Sequence, residues 1–195
     1  MMRVKAFPAY EARQWLPEVA RLRIEVFREF PYLYDGDLDY EKRYLDTLFG
    51  CRDAVLVLAF DGDRVVGAST GMPLAEETDN IRKPFEQSPY PVEGVFYFSE
   101  SVLDKRYRGQ GIGKRFFEER ENWARQLGDY EWLAFCAVVR SQDDPRRPAD
   151  YKPLDAFWRK RGFEPTDLYC QIAWKEIGEE DESPKSLRFW VKPLG

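Results

Sequence analysis

The stretch Arg108-Gly109-Gln110-Gly111-Ile112-Gly113, with Lys114 and Arg115 behind it, constrains this chain more than any other. It follows an apolar run, Val95 to Leu103, that reads as a strand. It opens an amphipathic run in which Ile112, Phe116, Trp123, Ala124 and Leu127 recur at helical spacing. A glycine-rich turn between strand and helix lets backbone N–H groups converge. Glycines tolerate positive φ and carry no Cβ to block a ligand from the main chain. The helix N-terminus adds unsatisfied donors and the positive end of a dipole. Such a turn is a seat for phosphate oxygens. Spacing narrows the ligand. A Walker A loop needs G-x-x-x-x-G-K-[ST], but here Arg108 stands at the first glycine and Arg115 replaces the magnesium-binding hydroxyl. The dinucleotide fingerprint G-x-G-x-x-G fails because the glycines run G-x-G-x-G, and Asp104 to Tyr107 separate the strand from the turn.

At 195 residues the chain is read as one domain, residues 1–195, with room for a sizeable core. A net charge of −5 argues against nucleic acid as a partner. Histidine is absent, which removes the usual general base and, with no zinc-type cysteine spacing, makes no metal the expectation. Cys51, Cys136 and Cys170 cannot all pair, and two lie in apolar runs, so a reducing compartment is expected. No apolar run approaches membrane-spanning length and no signal-peptide pattern opens the chain. The expectation is a soluble cytoplasmic protein, with no membrane partner. Aromatic residues at 16% fit a well-packed core or an aromatic-lined ligand pocket.

Along the chain, Met2 to Phe7 reads as a first strand. Apolar residues at 15, 19, 22, 26 and 30 trace one face of a helix. After a break at residues 31–37, Asp39 is the expected N-cap of a second helix carrying Tyr40, Tyr44, Leu45, Leu48 and Phe49. Ala54 to Phe60 and Val65 to Thr70 form a hairpin about Asp61-Gly62. Residues 73–92, with four prolines, are an excursion with a short helix. Val95 to Leu103 and Trp132 to Val139 are central strands flanking the helix begun at the glycine turn. Leu154 to Arg161 is a helix stopped at Gly162, and Phe163 to Trp174 and Ser186 to Lys192 are late strands. The order predicts a mixed α/β domain.

Two local motifs on this layout resemble the GNAT superfamily of acyl-CoA-dependent N-acyltransferases. The family's first motif, [QR]-x-x-G-x-[GA], often stands inside V-D-P-x-Y-R-G-x-G-x-G; Leu103 to Gly113 matches it, with Lys105 in place of proline. The second ends in aromatic-Y-x-x-x-G-F; Phe157 to Phe163 matches it, with Trp158 at the tyrosine. The resemblance covers about residues 50–175 and implies a GNAT fold, a central, mostly antiparallel mixed sheet flanked by helices. It implies acetyl-CoA as co-substrate. Backbone N–H groups of Gly109, Gln110, Gly111, Ile112, Gly113 and Lys114 would hold the pyrophosphate, with Arg108 at the entry. The pantetheine arm would pair like an added strand with the main chain of Ser101, Val102 and Leu103.

In such a site the amine attacks the thioester itself, so three jobs remain. A base must take a proton from an ammonium of pKa about 10, a donor must steady the oxyanion, and an acid must protonate the thiolate. Glu100 is the candidate base. It is the charged residue of the strand Val95 to Leu103, and strict alternation places it with Phe98 and Val102, an apolar setting that would raise its pKa. The competing reading is a solvated or arginine-paired glutamate, and a bulge would change where it points. Tyr151, seven residues before Trp158 and on the same face if the helix extends that far, is the candidate acid, against a tyrosine packed on the core. Solvent is the other proton source, and Cys136 reads as a small core residue. For the acceptor, the linker Phe30 to Tyr40, with Asp35, Asp37 and Asp39 among aromatics, offers carboxylates to a cation or is a capped, solvated turn. The 73–92 excursion forms a wall or lid, or an ordinary surface loop.

These readings predict an N-acetyltransferase that moves an acetyl group from acetyl-CoA to a primary amine, small-molecule rather than protein, by direct ternary-complex transfer. The alternatives are a non-catalytic acyl-CoA-binding module, suggested by Trp158, and an acyltransferase for longer chains, should the aromatics line a deep slot. A homodimer stays open.

Overall fold

The computed structural model describes residues 1–195. The chain runs β1 (Met2–Pro8), α1 (Leu16–Phe27), α2 (Leu38–Gly50), β2 (Val55–Asp61), β3 (Arg64–Pro73), α3 (Asp79–Arg82), β4 (Val95–Leu103), α4 (Ile112–Leu127), β5 (Trp132–Val138), α5 (Asp155–Lys160), β6 (Glu164–Trp174) and β7 (Ser183–Pro193). All strands join one seven-stranded sheet in the order β1-β2-β3-β4-β5-β7-β6. Neighbours are antiparallel except β4 and β5, which run parallel. The architecture is the mixed, mostly antiparallel sheet flanked by helices that the sequence predicts.

Burial explains the order. β2 is buried at every position before Asp61, as a strand covered on both faces must be. The edge strand β6 alternates between partly buried and exposed residues over most of its length. On one face α1 and α2 pack Val19, Leu22, Leu45 and Phe49 against Leu56, Leu58 and Val102. On the other, α4 and α5 press Phe116, Phe117 and Phe157 onto Phe96, Phe98 and Phe135. The excursion after β3 returns to the first face, where Leu74, Ile81 and Phe85 pack with Tyr97 and Phe189.

Two features of β4 position the site. It pairs with β5 only from Val95 to Tyr97, against Trp132 to Ala134, and beyond that the two strands diverge into a cleft. It also carries a bulge: Gly71 pairs with Phe98 and Thr70 with Glu100, so Ser99 is the extra residue. The bulge corrects the expected alternation. Phe98 faces α4, whereas Glu100 and Val102 face α1 and α2. A further correction concerns α2. Its N-cap is Asp37, whose carboxylate accepts from Tyr40 N–H at 2.9 Å, and Asp39 lies inside the first turn.

Candidate active site

The glycine turn has the geometry its composition demands. Gly109 and Gly111 hold φ of +77° and +79°, and a Cβ at either would meet only open space. Their glycines are therefore required by backbone conformation, not by crowding. No side chain caps α4. None of the six N–H groups from Gly109 to Lys114 finds an acceptor within the chain, the first bond of the turn being Arg115 N–H to Gly111 O at 3.2 Å. Consecutive free donors at the positive end of a four-turn helix form an anion seat. Two of the cations beside it are already engaged: Arg108 pairs with Glu29 at 2.9 Å and Lys114 with Glu118 at 3.3 Å. The two sequence motifs meet here, since Phe157 of α5 lies 3.7 Å from where a Gly113 Cβ would stand.

The open edge of β4 leads from this turn into the cleft. Asp104 N–H bonds to Val66 O on β3 at 3.0 Å, and the pairing register is continuous from Glu100 to Leu103. In an antiparallel ladder the main-chain groups then alternate. Ser101 and Leu103 turn theirs toward the cleft, and Val102 turns its own toward β3. Of the three residues expected to pair with an added strand, Val102 is therefore corrected: its main chain is already committed. Arg120 of α4 reinforces the bulge from beneath. Its guanidinium is buried, donates at 3.3 Å to both Thr70 O and Glu100 O, and lies over the Phe98 ring at 4.1 Å. Burial works against its charge and the nearby Glu100 opposes that effect. A donor on Glu100 O also polarises the same peptide unit's N–H, that of Ser101, toward the cleft.

On the other side of β4 is a cavity of about 280 Å³ between α2, the excursion after β3 and β6. Its lining includes Tyr40, Tyr44, Thr70, Glu77, Ser99 and Glu100. Glu100 is buried, with Oε2 on Arg23 Nη1 and Oε1 without a partner. Thr70 Oγ1 and Ser99 Oγ are likewise buried and unpaired. The setting of Glu100 is thus ionic rather than the apolar one expected from alternation. Arg23, buried on α1, also donates to Glu41 Oε2 at 2.5 Å and covers the Tyr44 ring at 3.9 Å. Glu41 in turn accepts from Tyr34 Oη at 2.8 Å. Burial raises the Glu41 carboxyl, and Arg23 and Tyr34 counter it. Glu77, entering from the excursion, is pushed up to about 6, first by burial and then by the charge of Glu100, against a hydrogen bond from Thr78 N–H.

Other expected residues lie elsewhere. α5 starts at Asp155, so Tyr151 is on a loop and the shared helical face does not exist. Its ring stands edge-on to Phe30 at 4.8 Å, and burial raises its phenol. The linker carboxylates serve the surface: Asp35 pairs with Arg28 at 3.0 Å and Lys175 at 3.6 Å, and Asp37 caps α2. Of that linker only Tyr40 lines the cavity, while the 73–92 excursion supplies a wall through Glu77, Thr78, Asn80 and Ile81. Trp158 packs between Phe135 and Trp190, at 4.9 and 5.1 Å. Cys136 shares a 3.0 Å contact with Tyr97 Oη, and all three cysteines are free. Arg23, Glu41 and Glu77 are the site residues that sequence reasoning missed. The first two were detectable, because each is a charge set within the apolar stripe of its helix: Arg23 between Val19 and Val26, Glu41 four residues before Leu45. Glu77, on irregular chain, left no such signal.

Comparison with known proteins agrees with this geometry. The family model described as "Acetyltransferase (GNAT) family" matches residues 17–163. No curated protein matches the sequence significantly. Similar solved structures include a ribosomal-protein-alanine N-acetyltransferase from Brucella melitensis, at 15% identity and TM-score 0.61, with 98% of this chain and 99% of that one covered. A GNAT-family acetyltransferase from Streptococcus pneumoniae matches at 17% identity and TM-score 0.60, covering 99% of each chain. An N-acetyltransferase from Staphylococcus aureus Mu50 matches at 12% identity and TM-score 0.61, covering 100% of this chain and 99% of that one. At such identities the structures speak for the fold, and the family model carries the assignment. The chain belongs to the GNAT family of acetyltransferases, enzymes that take acetyl-CoA as co-substrate.

Proposed function

We propose that this chain transfers an acetyl group from acetyl-CoA to the primary amine of a small molecule, directly, within a ternary complex. The observation that carries the reading is Glu100 Oε1. It is a buried, unpartnered carboxylate oxygen facing an acceptor-sized cavity, on the strand whose opposite edge opens onto the cleft. The residues present fit the co-substrate: six free N–H groups suit a pyrophosphate, and the Ser101 and Leu103 main chain suits an extended amide arm. When bound there, acetyl-CoA supplies the activated acyl carbon.

The chain's own groups do the rest. Glu100 Oε1 accepts the proton that the attacking amine must lose. A backbone N–H at the β4 bulge steadies the developing oxyanion, held in place by Arg120 on the carbonyl of the neighbouring peptide. Tyr151, kept protonated by burial, is assigned the proton for the departing thiolate. Its ring stands edge-on to Phe30 at 4.8 Å.

A small acceptor is supported by the walls. The cavity, of about 280 Å³, is bounded by α2, the excursion and β6. A short acyl chain is supported by the aromatics, which pack on one another (Phe98, Phe117, Phe135, Phe163) instead of lining a slot. Thiol release from acetyl-CoA with a panel of amines tests the reading. Glu100→Gln is expected to lower turnover about 10²-fold or more while coenzyme A still raises the melting temperature. Unchanged turnover in that variant removes Glu100 as the base, and no release with any amine overturns the transfer itself.

A further inference from the structure

The cavity holds more negative charge than the chain neutralises. At its floor Glu100 and Glu41 share the guanidinium of Arg23, and Arg120 lies across the strand on Glu100 O, so the two carboxylates are balanced in charge while Glu100 Oε1 is left without a donor. At its rim Arg43 and Glu182 pair at 2.9 Å and cancel. Glu77, from the excursion, takes its hydrogen bonds from Thr78 alone; the charge that acts on it is that of Glu100, and no cation of the chain pairs with it. One cavity therefore holds a carboxylate oxygen without a donor, on Glu100, and a carboxylate without a cation, Glu77, and its walls also include the rings of Tyr40, Tyr44 and Tyr97 and the apolar Ile81 and Ile172.

A buried acceptor without a donor and a partly buried carboxylate without a cation are both unfavourable, so the arrangement makes sense for a ligand that brings N–H donors to one end and a cation to the other. The groups at one end have matching valence. Glu100 Oε1, Thr70 Oγ1 and Ser99 Oγ are orphaned acceptors at the bulge, and an ammonium has three donors and no acceptor. The aromatic walls suit both an alkyl chain and the cationic group itself.

We propose that the acceptor is a diamine, two ammonium-forming nitrogens joined by a short apolar chain, with one nitrogen received beside Glu100 and the other held by Glu77. The proposal rests on the cavity being the acceptor site. In the transfer, the nitrogen beside Glu100 enters as an ammonium, gives one proton to that carboxylate and forms the new N–C bond. As the C–S bond breaks it loses a second proton, which balances the one the thiolate takes on leaving, while the nitrogen at Glu77 stays an ammonium. A monoamine would leave Glu77 unmatched, and so would a neutral or anionic acceptor.

The test pairs binding with kinetics, using short α,ω-diaminoalkanes against the monoalkylamines of the same length. Calorimetric titration into the full chain saturated with coenzyme A is expected to show at least one diamine binding about tenfold or more tighter than its monoamine. Kcat/KM for acetyl transfer should favour it by a similar factor. Glu77→Gln should shrink both ratios to near unity, Glu77→Asp should keep part of them, and a preserved coenzyme A thermal shift shows that the variants are folded. Equal affinity for mono- and diamines, or a Glu77→Gln loss that falls equally on both, overturns the diamine site. Tight, Glu77-dependent diamine binding without thiol release supports the site and instead overturns the transfer reading.

Discussion

Arg23 holds two carboxylates that could not both be buried without it. It donates to Glu41 and Glu100 from one guanidinium, so it serves the core and the site together. Removing one partner of a buried ionic network leaves uncompensated charge. Arg23→Met is therefore expected to cost about 3–5 kcal/mol in urea unfolding, and adding Glu41→Gln should recover part of that loss. A full-cost loss in the double variant would mean that Arg23 acts through packing. Glu77 gives a pH signature with a defined sign. Its carboxyl is raised from 4.5 to about 6, so the folded chain holds the proton more tightly than the unfolded one. Its contribution to stability is present below pH 4.5 and is lost as pH rises through 6. Wild type minus Glu77→Gln should show this difference, at most about 2 kcal/mol and less for screening by solvent, between those values. A flat difference contradicts it. At this scale the sequence reading found the charge that broke a strand pattern, Glu100, passed over the same signal on the helices at Arg23 and Glu41, and had no pattern to read at Glu77.

Among the elements, β4 shows where periodicity succeeds and where it fails. Its ends, Val95 and Leu103, follow from composition alone. Its faces do not, because the bulge at Ser99 adds one residue and reverses the alternation after Phe98. Nothing local in Phe-Ser-Glu-Ser marks a bulge, which depends on how β3 and Arg120 meet the strand. That extra residue brings Ser99 and Glu100 into the same cavity. The glycine turn was legible for the opposite reason, since positive φ at Gly109 and Gly111 is a local demand met by residue type. Gly111→Ala should therefore weaken coenzyme A binding about tenfold, by forcing a side-chain residue into a left-handed conformation that costs roughly 1–2 kcal/mol. Wild-type affinity would show that the turn is not the phosphate seat. The helix expected over Leu154 to Arg161 forms as α5, but the condition set for Tyr151, that it extend back to that residue, is not met: α5 begins at Asp155, and the preceding chain with Pro148 and Pro153 does not continue it.

Over the whole molecule, a single sheet splits between β4 and β5, and the split separates two approaches to one bulge. Under the proposed function, the glycine turn and cleft take the co-substrate and the cavity against α2 takes the acceptor. Strand order and helix placement were legible because each element's apolar pattern fits its layer, whereas the divergence of β4 from β5 is a property of the assembled sheet. Coenzyme A at about 100 times its dissociation constant should stabilise the fold by about 2.7 kcal/mol, read as a melting shift of roughly 5–10 °C. ATP or NAD giving that shift while coenzyme A gives none would contradict the spacing argument. The most direct test of the whole account is an initial-velocity study in which acetyl-CoA and the amine are both varied, with the protein's mass recorded after acetyl-CoA alone. Two approaches to one bulge predict intersecting double-reciprocal lines and an unmodified chain. Parallel lines with an acetylated protein, on Cys136 or elsewhere, would contradict direct transfer from thioester to amine.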